Sequence, residues 1–141
     1  MFNNIEYQYL ISSFDAFDTS VTDSWLTGVI KEEGGIPGQL SFIYCDDEYL
    51  LSLNRKFLQH DTLTDVITFD YGEEMGDISG DIFISVERVQ DNAVDLGILF
   101  HEELFRVMVH GILHLLGYTD HDQVGREQMR EKENYYLSLL P

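Results

Sequence analysis

Three of the chain's five histidines lie in the segment VHGILHLLGYTDH, residues 109–121. His110 and His114 are four residues apart, so on a helix their side chains project from the same face. The apolar periodicity of residues 100–116 predicts such a helix. Two imidazoles at this spacing can bind one transition-metal ion together. The segment therefore predicts a metal site that needs at least one further ligand.

The turn after the second histidine can bring that ligand. Gly117 can end the helix in the left-handed conformation and let the chain reverse, so that Asp120 or His121 becomes the third donor. Two histidines and one further ligand leave a tetrahedral ion with an open position, which is typical of a catalytic site. A water bound there would have a pKa near ~7. One zinc ion per chain is the default cofactor, although iron, nickel and manganese also accept these ligands.

The residue after the first histidine argues against a zinc peptidase. Peptidases with an HExxH motif carry a glutamate there as the general base. In this chain the position is Gly111. The sequence leaves the general base, and hence the catalytic residues, unassigned.

Periodicity and turn residues predict the elements that must position this site. We expect strands at 3–11, Gln39–Cys45, Thr64–Tyr71 and Ser79–Val86, the last two as an antiparallel hairpin, and helices starting at 20, 47, 87, 100 and 124. Asp46 or Asp47 can cap the second helix. The pattern predicts an α+β fold, with a small mixed four-stranded sheet packed with about five helices, in a single domain of residues 1–141.

The second helix carries an apolar stripe with one polar member. Its inward side is predicted to comprise Leu50, Leu51, Asn54, Phe57 and Leu58.

Three carboxylates, those of Asp65, Asp81 and Glu103, could have either a functional or a structural role. Asp65 and Asp81 are flanked by apolar strand residues, where an unpaired carboxylate would be costly. Each is expected either to make a structural hydrogen bond or to act at the site, by orienting a ligand imidazole, accepting a proton or contacting substrate. Glu103 lies seven residues before His110 on the same helix face, and either supports that ligand or is a plain surface charge.

The charge constrains the substrate. Eight basic against 26 acidic residues give a formal net charge of −18, which repels a polyanion over most of the surface. An RNA substrate would need the metal ion, a few local basic residues or a partner protein to supply the attraction.

Composition also indicates the compartment. The sequence has no long apolar run and no basic leader followed by an apolar segment, which predicts neither a membrane span nor a signal peptide. The single cysteine, Cys45, cannot form an internal disulfide. We therefore expect a cytoplasmic protein whose cysteine packs in the core.

The histidine segment resembles a known signature. HGILHLLGY at residues 110–118 is similar to the HGxLHLxGYDH motif of the YbeY family of bacterial metal-dependent endoribonucleases and ribosomal RNA maturation factors. Leu53-Asn54, TDVITF at 64–69 and GDI at 80–82 resemble that family's upstream blocks, in the same order. The resemblance covers residues 50–135 and implies RNA hydrolysis in ribosomal RNA maturation and ribosome quality control. It also implies ribosomal RNA as substrate and ribosomal or assembly proteins as partners.

Two departures from the motif affect the site. Thr119 is inserted before the Asp-His pair, so Asp120 takes the register of the family's third histidine and is favoured over His121 as third ligand. Leu58 stands where the family usually carries an arginine, so no arginine role in binding or cleaving RNA is carried over. His60 is either a local substitute or an exposed loop histidine.

Two other functions fit the same residues. One is a metal-dependent hydrolase of another substrate such as a peptide, which cleavage assays would separate from a nuclease. The other is a non-enzymatic ribosome assembly factor whose metal holds the C-terminal loop. Loss of cleavage without loss of stability or partner binding on removing a ligand would exclude that second function.

Overall fold

A computed structural model describes residues 5–11, 17–58 and 64–141. Within these ranges the chain forms one mixed sheet of four strands and five α-helices, which confirms the predicted α+β fold. The strands are β1 Ile5–Tyr9, β2 Ile36–Cys45, β3 Val66–Asp70 and β4 Asp77–Ser85. The helices are α1 Thr19–Glu32, α2 Asp47–Leu53, α3 Val86–Leu96, α4 Phe100–Leu115 and α5 Gln123–Leu137.

The strand order in the sheet is β1-β2-β4-β3. β1 and β4 both pair with β2 in parallel, whereas β3 pairs with β4 in the antiparallel direction. The predicted hairpin is therefore confirmed. Its first strand forms one edge of the sheet, beside the helix that carries the histidines.

The main core lies between one face of the sheet and helices α1 and α4. Alternate residues of β2 and β4 point into it, as expected for strands with one buried face. Trp25 of α1 anchors the far side of this core, where its indole N–H donates a hydrogen bond of 2.7 Å to the carbonyl of Tyr136. The fully buried residues from the two strands and α4 include Phe42, Tyr44, Ile82, Ile84, Leu104, Met108 and Ile112.

The second strand is longer than predicted. It begins at Ile36, and a register irregularity lies between Pro37 and Leu40. A proline lacks the N–H that a ladder needs, so a bulge is where a strand tolerates one. Pro37 and Gly38, residue types that usually mark a turn, are therefore part of the strand, which begins three residues before Gln39.

The second helix departs from its predicted stripe. It is capped by Asp46, whose side chain accepts a hydrogen bond of 2.8 Å from the N–H of Tyr49, but it continues as a π-helical turn over Asn54–Leu58. Leu50 and Asn54 are buried as predicted, whereas Phe57 and Leu58 are exposed. The wider π turn changes the angular spacing of successive side chains, so residues at α-helical spacing no longer share a face.

Among the described residues, no helix is both long and apolar enough to cross a membrane.

Candidate metal centre

Helix α4 packs unusually close to the sheet at Gly111. A Cβ atom on this residue would lie 2.8 Å from Cγ2 of Ile82, whose side chain is fully buried. The helix can approach β4 because Gly111 has no side chain. The close contact fixes the face on which His110 and His114 project.

The turn after α4 reverses the chain as predicted. Gly117 has a φ of 106°, in the left-handed region that favours glycine. Its N–H donates to the carbonyl of His114, and the N–H of Tyr118 donates to that of Leu113, both at 3.0 Å. This arrangement satisfies the last carbonyls of the helix and turns the following residues back.

The reversal brings Asp120 to the two histidines. The Nε2 atoms of His110 and His114 are 2.9 Å apart, and Oδ2 of Asp120 lies 3.5 Å from the first and 3.7 Å from the second. One ligand atom from each residue lies within 4.8 Å of the other two. These three residues therefore form a cluster that could bind a metal ion.

The other nitrogen of each imidazole is held by an acceptor. Nδ1 of His110 donates to Oε2 of Glu133 at 2.6 Å, and Nδ1 of His114 donates to the carbonyl of Tyr118 at 3.0 Å. These bonds favour the tautomer in which each Nε2 presents a lone pair to the common point. Two facing lone pairs and a carboxylate make a donor set that a cation stabilises.

The spacing of the donors also fits a tetrahedral ion. Ligand atoms about 2.0–2.2 Å from zinc lie about 3.3–3.6 Å from one another. The two distances from Asp120 are close to this range, and the distance between the imidazoles needs to widen by a few tenths of an ångström. A small rotation of either ring provides that change, so zinc fits these residues.

Glu133 is the main residue that the sequence analysis missed. It is 4% exposed, and Nη1 of Arg106 donates to its Oε1 at 3.0 Å. Burial alone would raise the pKa of Glu133, but its hydrogen bonds and the neighbouring cations lower it. The available signal was its position on α5, between the buried Met129 and Tyr136 at helical spacing.

The pKa values of the two histidines are shifted in opposite directions. Burial alone would lower the pKa of His110, but the hydrogen bond and charge of Glu133 outweigh it and raise that pKa. Burial and the neighbouring His110 lower the pKa of His114. Glu133 therefore makes His110 the more basic of the two imidazoles.

A cleft of about 390 Å³ opens beside the cluster. Asp65, at the start of β3, lines this cleft together with His110 and His114. Burial is the main cause that raises the pKa of Asp65. The structure thus brings one of the two predicted strand carboxylates to the site.

The second strand carboxylate lies elsewhere. Asp81 alternates along β4 with Ile82, which packs in the core under α4. Successive strand residues point to opposite faces of a sheet, so Asp81 points away from the histidines. Its Oδ2 accepts a hydrogen bond of 3.1 Å from the hydroxyl of Tyr71, which matches the structural alternative for this residue.

Glu103 is not a plain surface charge. It is only 6% exposed, and its Oε1 has no hydrogen-bond partner among the described residues. Burial and the nearby charge of Asp65 raise its pKa. It is therefore a buried carboxylate near enough to Asp65 to be affected by its charge, and not part of the solvated surface.

A partly buried carboxylate also holds the turn that carries Asp120. Glu33, at the end of α1, accepts hydrogen bonds from the hydroxyl of Tyr118 at 2.5 Å and from Nζ of Lys132 at 3.1 Å. The hydroxyl of Tyr136 donates to the same carboxylate. Because the carbonyl of Tyr118 accepts from His114, Glu33 connects α1 and α5 to the cluster of His110, His114 and Asp120.

Three further positions named from the sequence are His121, Leu58 and His60. His121 is exposed and is not a member of the cluster. Leu58 lines the cleft at the position where the family motif carries an arginine. His60 lies outside the described residues.

Comparison with known proteins identifies the family. The model of the family described as endoribonuclease YbeY matches residues 11–140. A protein of that name from Flavobacterium johnsoniae is 49% identical over 139 residues, covering 97% of this chain and 94% of the relative. One from Amoebophilus asiaticus is 46% identical over 134 residues, covering 95% and 91%.

A solved structure shows the same fold. The solution structure of TM1509 from Thermotoga maritima superimposes with a TM-score of 0.64 at 28% identity, covering 95% of this chain and 87% of that protein. With a family match over most of its length and relatives near 50% identity, the chain belongs to the endoribonuclease YbeY family.

Proposed function

We propose that this protein hydrolyses phosphodiester bonds in RNA with a zinc ion held by His110, His114 and Asp120. The observation that carries the proposal is the convergence of these three donors on one cleft, in a chain whose relatives are named endoribonucleases. Ribosomal RNA as the substrate, and ribosomal or assembly proteins as partners, follow from the family resemblance. The cytoplasm as compartment is supported by the single buried, unpaired cysteine.

Zinc at this site would supply Lewis-acid chemistry, by polarising a phosphate oxygen and by making water a better nucleophile at neutral pH. The protein's own contribution is to hold the donors in place. Glu133 orients His110, and the carbonyl of Tyr118 orients His114. Both contacts reduce the reorganisation needed when the reaction proceeds.

Asp65 is the carboxylate that we assign as general base. It lines the cleft with both histidines. Because Glu133 already orients His110, Asp65 is not needed for that role. In the proposed step, water attacks phosphorus and Asp65 takes the proton that the water loses, one bridging P–O bond breaks, and that proton passes to the leaving oxygen, which regenerates the Asp65 carboxylate. A carboxylate on the wall of the cleft is a residue type that serves as general base.

The packing of α4 disfavours the peptidase alternative. Position 111, where the HExxH glutamate would stand, faces Ile82 at a distance too short even for a Cβ atom. A glutamate there would have to displace the sheet. This fold therefore has no room for that general base.

The test is a cleavage assay on a fluorogenic single-stranded RNA and on a fluorogenic peptide. We expect zinc-loaded protein to cleave the RNA and not the peptide, and chelation to abolish cleavage until zinc is restored. His114→Ala should remove cleavage, with folding checked by circular dichroism. Cleavage of the peptide alone, or no RNA cleavage by zinc-loaded, folded protein, would overturn the proposal; the latter would favour a non-enzymatic assembly factor.

A further inference from the structure

Four aromatic rings form a continuous strip on the sheet face opposite α4. The rings of Tyr49 and Phe83 are stacked at a centroid distance of 6.1 Å. Phe83 meets Phe69 edge to face at 5.7 Å, and Phe69 meets Phe57 edge to face at 5.7 Å. We call these residues the aromatic strip.

The inner and outer rings of the aromatic strip differ in their packing. Phe69 and Phe83 pack against the small buried cluster of Cys45, Leu50 and Ile67, so they have a structural role. Phe57 is 54% exposed, and it is held against Phe69 alone among the other rings of the strip. Core packing thus accounts for the positions of Phe69 and Phe83, but it does not account for the exposed aromatic ring of Phe57.

The π-helical turn puts the exposed end of the strip beside the cleft. The turn rotates Phe57 and Leu58 out of the buried stripe of α2, and Leu58 lines the same cleft as His110 and His114. π-helical turns within helices are frequent at functional sites. Phe57 does not line the cleft itself, so a ligand at His110 and His114 would reach its ring by crossing Leu58 at the edge strand β3.

A positive charge lies at the same place. Nζ of Lys56 is 5.3 Å from the centroid of the Phe57 ring. Elsewhere in the described structure, Arg88, Arg106 and Lys132 are engaged with carboxylates. Lys56 thus places a positive charge beside the Phe57 ring, two residues before the cleft-lining Leu58, in a strongly acidic protein.

We infer that Phe57, Leu58 and Lys56 form a nucleobase subsite for single-stranded RNA. The base next to the cleaved phosphodiester stacks on Phe57 and contacts Leu58, while Lys56 faces a backbone phosphate. Aromatic rings with adjacent cations are the usual means of binding unpaired bases, and they do so with little sequence preference. This inference rests on the proposed function, since it names the residues that hold a base of the RNA bound at the cleft.

The first test measures binding of fluorescein-labelled oligouridylate to the zinc-loaded protein by anisotropy. We expect Phe57→Ala to weaken binding by about 5- to 150-fold, the usual range for loss of one base stack. Phe57→Trp should retain binding, because it keeps an aromatic face. Tyr135→Ala, which removes a similarly exposed ring on α5, is the matched control and should bind as wild type does.

The second test reports stacking directly. Trp25, the chain's single tryptophan, is buried, so the added emission of Phe57→Trp comes from the subsite. We expect oligouridylate to quench this emission, and a blunt duplex RNA or an oligonucleotide of abasic residues to leave it unchanged. A merely structural role for Phe57 would not produce this difference.

The outcomes separate this inference from the proposed function. If the wild type cleaves RNA but Phe57→Ala binds oligouridylate equally well, or if the emission is not quenched, the subsite is overturned and the nuclease stands. If the wild type neither binds nor cleaves RNA, both proposals fall. If Phe57→Ala converts a dimer into a monomer in sedimentation while RNA binding is unchanged, the strip is a subunit interface and the inference is wrong.

Discussion

His110 presents Nε2 to the metal position because Glu133 engages its Nδ1 from a different helix. The carboxylate is buried, and Arg106 holds it in place. A ligand imidazole that donates to a carboxylate has a fixed orientation and a higher basicity. At the scale of single residues, we therefore expect the affinity of the proposed metal site to depend on Glu133, a side chain that is not itself one of the proposed ligands.

We predict that Glu133→Gln lowers zinc affinity by about 10- to 100-fold, the usual cost of losing such a support. The amide can still accept from Nδ1 but carries no charge to make His110 more basic. Competition with a chromophoric chelator measures the affinity. Glu131→Gln, an exposed change on the same helix, is the control and should bind zinc like the wild type; equal affinity in both variants would contradict the prediction.

We predict that Asp120 and not His121 is the third ligand. Oδ2 of Asp120 lies within 3.7 Å of both imidazoles, whereas His121 is exposed. Elemental analysis after dialysis should find about one zinc per chain in the wild type and His121→Ala, and little in Asp120→Ala. The reverse pattern would transfer the role to His121.

The site residues that the sequence predicts lie close together along the chain, whereas those that it misses lie far from them in sequence. The spacing of His110, His114 and Asp120 within one helix and turn is local, so the sequence alone predicts the cluster. Glu33 and Glu133 reach the site from α1 and α5, and such contacts depend on how the helices pack. A carboxylate on an otherwise apolar helical stripe was the one local sign of Glu133.

At the scale of elements, the position of α4 depends on its contact with β4. We predict that Gly111→Ala destabilises the protein, because its Cβ would lie 2.8 Å from Cγ2 of the buried Ile82. Overpacking costs about 1–3 kcal/mol, which exceeds the gain in helix propensity of about 1 kcal/mol. Urea unfolding measures the change in the free energy of unfolding.

The control for this change is Gly28→Ala on α1. Gly28 is exposed in a helix, and a Cβ there would meet nothing within 4 Å. We therefore expect only the propensity gain, a stabilisation of up to about 1 kcal/mol. A Gly111→Ala variant that is stabilised as much as Gly28→Ala would show that α4 does not need its close approach to the sheet.

Most elements could be predicted because each carries its own periodicity and caps. The hairpin, the helix that ends at Gly97 and the helix that ends before Gly117 all follow local patterns. The π-helical turn does not, since Leu50, Asn54 and Phe57 fit an α-helical stripe equally well. Hydrogen bonding in the folded chain, and not the apolar pattern, decides which residues of that turn face the core.

At the scale of the whole molecule, Glu33 joins α1, the metal-site turn and α5. Burial alone would raise the pKa of Glu33, but hydrogen bonds from Tyr118, Tyr136 and Lys132 outweigh it and lower the pKa. A carboxylate with a lowered pKa in the folded state stabilises the protein above its unfolded pKa of about 4.3. That stabilisation is lost as pH falls through the folded-state pKa.

We therefore predict that Glu33→Gln is less stable than the wild type near neutral pH, and that the difference shrinks as pH falls below about 4. Urea unfolding at a series of pH values measures both proteins. Glu131→Gln should follow the wild type throughout. A difference that is the same at every pH would show that the charge of Glu33 contributes nothing.

The net charge of −18 sets how this protein can bind RNA. Most of the surface repels a polyanion, so we expect few phosphate contacts, made by the zinc ion and Lys56. Each phosphate neutralised on a single strand contributes a slope of about −0.7 to log K against log salt, which predicts a total slope of about −0.7 to −1.4. Stacking on Phe57 adds affinity without adding to this slope.

Anisotropy titrations of oligouridylate over a range of potassium chloride concentrations measure the slope. Lys56→Ala should make it shallower by about 0.7, and Phe57→Ala should weaken binding at every salt concentration while leaving the slope unchanged. A wild-type slope steeper than about −3 would require four or more phosphate contacts. The charge balance of this chain argues against so many contacts, so that result would mean that RNA is bound through a basic surface and not through the metal site and its aromatic neighbour.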